Sequence, residues 1–140
     1  MAPLRCVLLV DDDPTTRYLH RLLLDQLGLA AHVLEAANGQ QALDLVLAQR
    51  ADDFRTCPDL ILLDVHMPGM NGFEFLEAYT ALSQAQQCAR VVALLTTSVS
   101  PRDVERAGRL SVSAYLTKPL MSETLSGFVH ERFAPPSSVQ

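Results

Sequence analysis

Five times along the chain a short, nearly continuous apolar run is followed by a longer amphipathic stretch, and that alternation admits few folds. Residues 6–10 read as a strand that is apolar on both faces. Between Pro14 and Leu27, the side chains Leu19, Leu22, Leu23 and Leu27 recur at helical spacing, with Pro14 suited to a first turn and Gly28 to a stop. Residues 32–36 form a weaker second strand, and Asn38 can cap a helix whose apolar face is Ala42, Leu43, Val46 and Leu47. Residues 60–63 are the third strand. Asn71, with Glu74 three residues on, opens a helix bearing Phe75, Leu76, Tyr79 and Leu82. Residues 91–95 are the fourth strand, Ser100-Pro-Arg-Asp103 is a helix start, and residues 114–116 give a short fifth strand. A last helix runs through Leu125, Phe128 and Val129. Strands apolar on both faces and separated by helices belong to a parallel sheet covered on both sides. Right-handed crossovers and only five such units exclude a closed eight-stranded barrel. What remains is an open, doubly wound α/β sandwich of three layers, expected over residues 1–133, with residues 134–140 as a flexible polar tail.

Composition narrows what such a sheet can do. Hydrophobic residues make up 49% and charged residues 19% of the 140, which excludes a disordered chain. The apolar runs fall far short of the ~20 residues needed to span a bilayer. Asp11, Asp12 and Asp13 interrupt the first run at once, so no signal-peptide pattern forms. A soluble, cytoplasmic protein without membrane contact is expected. A net charge of −5 lacks the electrostatic footprint of a nucleic-acid binder. Cys6, Cys57 and Cys88 match no metal spacing and are expected as free thiols in a reducing compartment. Ten of the eleven basic residues are arginine, leaving Lys118 as the single lysine, a compact ammonium at one place in the chain.

The residues that follow the strands carry the chemistry. Strand one runs into Asp11, Asp12 and Asp13, strand three into Asp64, strand four into Thr96, and strand five into Thr117 and Lys118. A parallel sheet brings all of these to one carboxyl edge, where open α/β folds place their sites. Crowded carboxylates repel one another unless a cation joins them. An all-oxygen set suits Mg²⁺, which takes one or two carboxylates together with a substrate phosphate. The lysine can neutralise phosphate oxygens and the threonine can donate to one. A carboxylate in such a setting can itself attack phosphorus. No glycine-rich phosphate loop, dinucleotide fingerprint, zinc-protease helix motif or nucleophile elbow competes. Asp13, directly before Pro14, is expected to serve as a helix cap, and His20, His32 and His130 as surface or helix residues.

These residues resemble the receiver domains of two-component response regulators, over about residues 4 to 133. The carrying motifs are Val-Leu-Leu-Val-Asp-Asp-Asp-Pro at 7–14, Leu-Ile-Leu-Leu-Asp-Val-His-Met-Pro-Gly-Met-Asn-Gly at 60–72, Leu-Thr-Thr-Ser at 95–98 and Tyr-Leu-Thr-Lys-Pro at 115–119. The resemblance implies a flavodoxin-like sheet in the order 2-1-3-4-5 and a stand-alone, chemotaxis-receiver-like switch. Asp64 would be the phosphoacceptor. Asp11 and Asp12 would hold Mg²⁺ together with Asp64, with the backbone carbonyl of His66 completing the protein's share of the shell. Thr96 would be the switch hydroxyl, Tyr115 the aromatic that turns inward with it, and Lys118 the cation paired with phosphate. The Lys118–Pro119 bond is expected to be cis, as the family holds it. The phosphoryl group would come from a histidine kinase or a histidine phosphotransfer protein. Phosphorylation and its loss would be reactions of the chain on itself, so it is not expected to be an enzyme acting on a separate substrate. No DNA-binding segment is expected after the last helix, so output is expected through a downstream protein target. The surface concerned is formed by the helix from Ser100, the fifth strand and the last helix. A homodimer through that surface is one form such contact can take.

Several positions depart from the family pattern. Thr97 stands where a smaller residue is common, Ser111 and Ala114 where glycine often appears, and His66 and Ser98 border the path of hydrolytic water. Two readings from other classes stand beside the switch. A binding module could keep the fold with the acidic cluster as a relic, although Asp12, Asp64 and Lys118 are all present. A phosphatase with a covalent aspartate, like the haloacid-dehalogenase-like enzymes, needs a second aspartate two residues after the nucleophile, and His66 stands there.

Overall fold

A computed structural model describes residues 4–48, 58–82, 91–96, 101–102, 105–106 and 114–133. Five strands, β1 (Leu4–Val10), β2 (Ala30–Ala36), β3 (Leu60–Asp64), β4 (Val91–Thr96) and β5 (Ala114–Thr117), form one parallel sheet in the order β2-β1-β3-β4-β5. The helices α1 (Pro14–Leu27), α2 (Gly39–Ala48), α3 (Gly72–Thr80) and α4 (Ser122–Phe133) cover it. The doubly wound α/β sandwich expected from the sequence is the fold observed. Pro101, Arg102, Glu105 and Arg106 are helical, in the region where Ser100-Pro-Arg-Asp103 predicts a start. Ser100 and Asp103 of that start, Thr97, Ser98, Ser111, Cys57, Cys88 and the tail from residue 134 lie outside the described residues.

Two strands begin earlier than their apolar patterns predict. Leu4 pairs with Ala30 and Cys6 with His32, so the ladder extends past the hydrophobic runs at residues 6 and 32. Backbone pairing, which ignores side-chain polarity, sets that limit. The helix ends follow local chemistry closely. Asp13 accepts from the Thr15 amide at 3.1 Å and from the Thr16 hydroxyl at 2.8 Å, capping α1 as expected, and Gly28 ends it with φ +62°. Asn71 and Glu74 form the reciprocal capping box at the start of α3.

The two faces of the sheet carry separate cores. On one, Ile61, Leu63, Val92 and Leu94 meet Ala42 and Val46 of α2 and Phe73, Phe75, Leu76 and Tyr79 of α3. On the other, Leu60, Leu62, Ala93 and Leu95 meet Leu24 of α1 and Leu125, Phe128, Val129 and Phe133 of α4. Three layers result, as the strand pattern implies.

The inward face of α1 is a correction. Leu23 and Leu27 are half-buried as expected, but Leu19 and Leu22 are exposed, and the helix buries Leu24 and His20 instead. The leucine stripe is wide enough to admit several rotations of the helix, and the one realised turns His20 inward from the surface position its polarity suggests. Leu47, expected on the inner face of α2, is likewise exposed.

Candidate functional site at the carboxyl edge of the sheet

The ends of β1, β3, β4 and β5 lie side by side, because β1 pairs with β3, β3 with β4 and β4 with β5. Each delivers one of the groups expected from the sequence. Asp11 follows β1 and is 3% exposed. Its amide donates to the Ala36 carbonyl at 3.1 Å, which continues the β1–β2 ladder one residue past the strand. Asp64, the last residue of β3, is 6% exposed, and Asp12 is exposed. Ligand atoms of Asp11, Asp12 and Asp64 all lie within 4.8 Å of one another.

Gly72 is what lets α3 approach behind Asp64. A Cβ there would fall 2.5 Å from the Asp64 carbonyl oxygen and 2.9 Å from the Val65 Cα. The Gly72 amide donates to the Val65 carbonyl at 3.0 Å, so the helix start is tied to the loop that leaves the site.

Lys118 bridges the carboxylates. Its Nζ donates to Asp11 Oδ2 at 2.7 Å and lies 3.4 Å from Asp64 Oδ1. Its own amide donates to the Thr96 carbonyl at 2.7 Å, and the Lys118–Pro119 bond is cis, as expected. The remaining oxygen of Asp11 accepts from the Asp13 amide at 3.0 Å, and its carbonyl accepts from Arg17 Nη1 at 2.6 Å. Asp64 Oδ1 also accepts from the His66 amide at 3.3 Å. The His66 side chain is exposed and its imidazole is not part of the cluster. Thr96 is fully buried at the end of β4, and half-buried Tyr115 packs against the α2–α3 core.

Burial raises the pKa of Asp64 above the ordinary carboxylate value, and the charge of Asp11 adds to this; Lys118 and the His66 amide pull it partly back. For Lys118, burial opposes the charge, but the hydrogen bond and charge of Asp11, with those of Asp64, outweigh it and hold the ammonium above the ordinary lysine value. The cluster is therefore a set of hard oxygen donors with more negative charge than one lysine balances. Oxygen donors gathered this closely fit a hard divalent cation.

Two features beside the site carry no simple sequence signal. His20 is buried close enough to Asp11 and Lys118 to feel both charges, and it lines an apolar groove of about 520 Å³ with Leu19, Leu23, Pro119 and Leu120. Arg17 contacts the Asp11 backbone, although nothing in its spacing separates it from Arg21, the other arginine on α1. Cys6 is buried, and burial, with Asp59 nearby, pushes its thiol up to about 11, so it is an unreactive core residue. Among the described residues no helix is long and apolar enough to cross a membrane.

The chain is similar to known proteins. The chain is 34% identical over 119 residues to Protein PilH of Pseudomonas aeruginosa, covering 85% of this chain and 89% of PilH. It is 35% identical over 128 residues to the nitrate/nitrite response regulator protein NarL of Escherichia coli, spanning 91% of this chain but only 54% of NarL. Among solved structures, the chemotaxis protein CheY4 of Vibrio cholerae superposes with a TM-score of 0.76 at 31% identity, covering 91% of this chain and 98% of CheY4. The family model described as the response regulator receiver domain matches residues 7–130, and the chain belongs to that family.

Proposed function

We propose that the chain is a phosphorylatable signalling switch in the cytoplasm, taking a phosphoryl group on Asp64 from a histidine kinase or a histidine phosphotransfer protein. The observation that carries this reading is the Lys118 ammonium held between Asp11 and Asp64, at 2.7 Å and 3.4 Å, inside a cluster of three carboxylates. Asp11, Asp12 and Asp64, with the His66 carbonyl, would hold Mg²⁺, which when bound offsets negative charge on the carboxylates and the phosphoryl oxygens. The Asp64 carboxylate attacks phosphorus; an O–P bond forms as the P–N bond of the donor phosphohistidine breaks, and the electron pair returns to the donor imidazole. Lys118 transfers its pairing from Asp64 to a phosphoryl oxygen, and the Thr96 hydroxyl donates to another. Thr96 and Tyr115 then shift together, and the surface around β5, α4 and the helical segment near Arg102 changes for a downstream protein target. Phosphorylation and hydrolysis act on the chain's own residue, so it works as a switch and not as an enzyme.

The test is intact mass after incubation with acetyl phosphate, with and without Mg²⁺, beside an Asp64→Asn variant. Gain of one phosphoryl group that needs both Mg²⁺ and Asp64 is the expected result. Absence of an adduct together with absence of Mg²⁺ binding would sink the phosphotransfer reading and leave a binding module that keeps the fold.

A further inference from the structure

A chain of ionic contacts runs behind the connection between β1 and α1, outside the carboxylate cluster. Arg17 lies on the first turn and a half of α1, and its side chain is 17% exposed. Its Nη1 donates to the Asp11 carbonyl at 2.6 Å, while its Nε donates to Glu35 Oε1 at 3.1 Å. The other oxygen of Glu35 accepts from Arg21 Nε at 2.9 Å, and Arg21 Nη2 donates to the Val33 carbonyl at 3.0 Å. Glu35 precedes Ala36, the residue that accepts the Asp11 amide. Asp11 is thus held at its amide by β2 and at its carbonyl by a guanidinium that β2 orients.

The Asp11 carbonyl belongs to the planar peptide that joins Asp11 to Asp12. Fixing its direction constrains ψ of Asp11 and φ of Asp12, and so narrows the directions in which the two side chains leave the backbone. We infer that Arg17 is a positioning residue for the acidic site, setting the plane of the Asp11–Asp12 peptide, with Glu35 and Arg21 holding its guanidinium in place. The inference rests on the reading of the carboxylate cluster as a divalent-cation site. The planar fork of an arginine presents separate nitrogens, Nη1 and Nε, to the carbonyl and to Glu35 in a fixed geometry, which the single ammonium of a lysine does not reproduce.

Charge and geometry predict opposite signs here. By Coulomb's law alone, a cation beside the carboxylates competes with a bound metal, so removing it would tighten metal binding. Loss of positioning would weaken it, and outer partners of metal ligands are typically worth on the order of tenfold or more in affinity. A purely structural role would lower stability and leave metal affinity where it was.

The experiment is calorimetric titration of the full chain with Mg²⁺ at fixed ionic strength, for wild type, Arg17→Lys, Arg17→Gln, Glu35→Gln and Asp12→Asn. Urea midpoints and amide NMR shifts are recorded without metal. Arg17→Lys, which keeps the charge, is expected to weaken Mg²⁺ binding by on the order of tenfold. Arg17→Gln is expected to weaken it despite losing a competing cation, and Glu35→Gln to weaken it less. The amide resonances of Asp12 and Asp13 are expected to move in metal-free Arg17→Lys. Wild-type affinity in Arg17→Lys, or tighter binding in Arg17→Gln, would overturn the inference. If Arg17→Gln does not fold, Arg17→Lys and Glu35→Gln decide. Failure of wild type to bind Mg²⁺, or indifference of binding to Asp12→Asn, would defeat the cation reading. Unmoved Asp12 and Asp13 amides in metal-free Arg17→Lys would defeat the positioning role, whatever the metal does.

Discussion

α1 and α3 leave the same edge of the sheet, one after Asp11–Asp13 and the other after Asp64, and each starts with a side-chain cap. They are put to different uses. α3 buries Phe73, Phe75, Leu76 and Tyr79 and seats Gly72 against the Asp64 carbonyl, so it supports the site from beneath. α1 buries only Leu24 and His20, leaves Tyr18, Leu19 and Leu22 exposed, and turns polar groups toward the acidic loop. A helix beside a functional edge can be either a packing element or a polar scaffold with an open outer surface. Leucine content alone does not say which.

Truncation in the cores should give the largest effects and test that division directly. Phe75→Ala is expected to lower stability by about 3–5 kcal/mol and Leu24→Ala by about 2–5 kcal/mol, read from urea denaturation. Leu19→Ala, on the same helix as Leu24, should change stability by no more than about 0.5 kcal/mol, since Leu19 is 54% exposed. A cost at Leu19 matching that at Leu24 would break the comparison, because it would place the outer leucines in a core. Next in size is Gly72→Ala. Its Cβ meets backbone, not a flexible side chain, so about 1–3 kcal/mol or more is expected, with displaced resonances for Asp64 and Val65.

How much of this the sequence shows depends on what each signal measures. Strand identity follows from unbroken apolar runs, and the parallel order of strands gathers Asp11, Asp12, Asp64 and Lys118 without knowledge of any distance. Helix starts at Asp13 and Asn71 follow from side-chain chemistry within three residues. Helix rotation is harder to read: one residue turns a helix by about 100°, so Leu19, Leu22, Leu23, Leu24 and Leu27 fit more than one inward face. The roles of His20 and Arg17 depend on that rotation and on residues outside the helix, Lys118 for His20 and Glu35 of β2 for Arg17. Asp59 shows the same limit. It is buried, accepting from the Arg5 amide at 2.7 Å, and no local pattern marks it.

Asp64 allows a test of the cost of the acidic edge that α3 supports. Its folded pKa lies above the ordinary value, first through burial and then through Asp11. A carboxyl raised on folding favours the native state in its protonated form, so this contribution is present at low pH and lost as pH rises through the folded pKa. At pH 7, without metal, Asp64→Asn should therefore raise the urea midpoint. The advantage should shrink on acidification and close below about pH 4, where wild type is protonated in both states. A variant less stable than wild type at pH 7 would show that the bond to Lys118 outweighs the cost of burying the charge.

A smaller pH-dependent effect than that of Asp64 lies on α1, at His20. Burial lowers its pKa, Lys118 adds to this, and Asp11 opposes it. A histidine depressed on folding must take up a proton as the chain unfolds in mild acid. Its contribution is full above the unfolded value of about 6.5 and is lost as pH falls through the folded pKa. His20→Leu should flatten the urea-midpoint profile between about pH 7 and pH 5 relative to wild type, by less than the core truncations change stability at any pH. The same variant sharpens the contrast between the helices. α1 would then carry an apolar side chain at an inward position without gaining the load that α3 bears, so its midpoint at pH 7 should stay close to wild type. A large gain in stability at pH 7 would mean that His20 is a polar defect in a core as demanding as that of Phe75, and the division of labour between the two helices would fail.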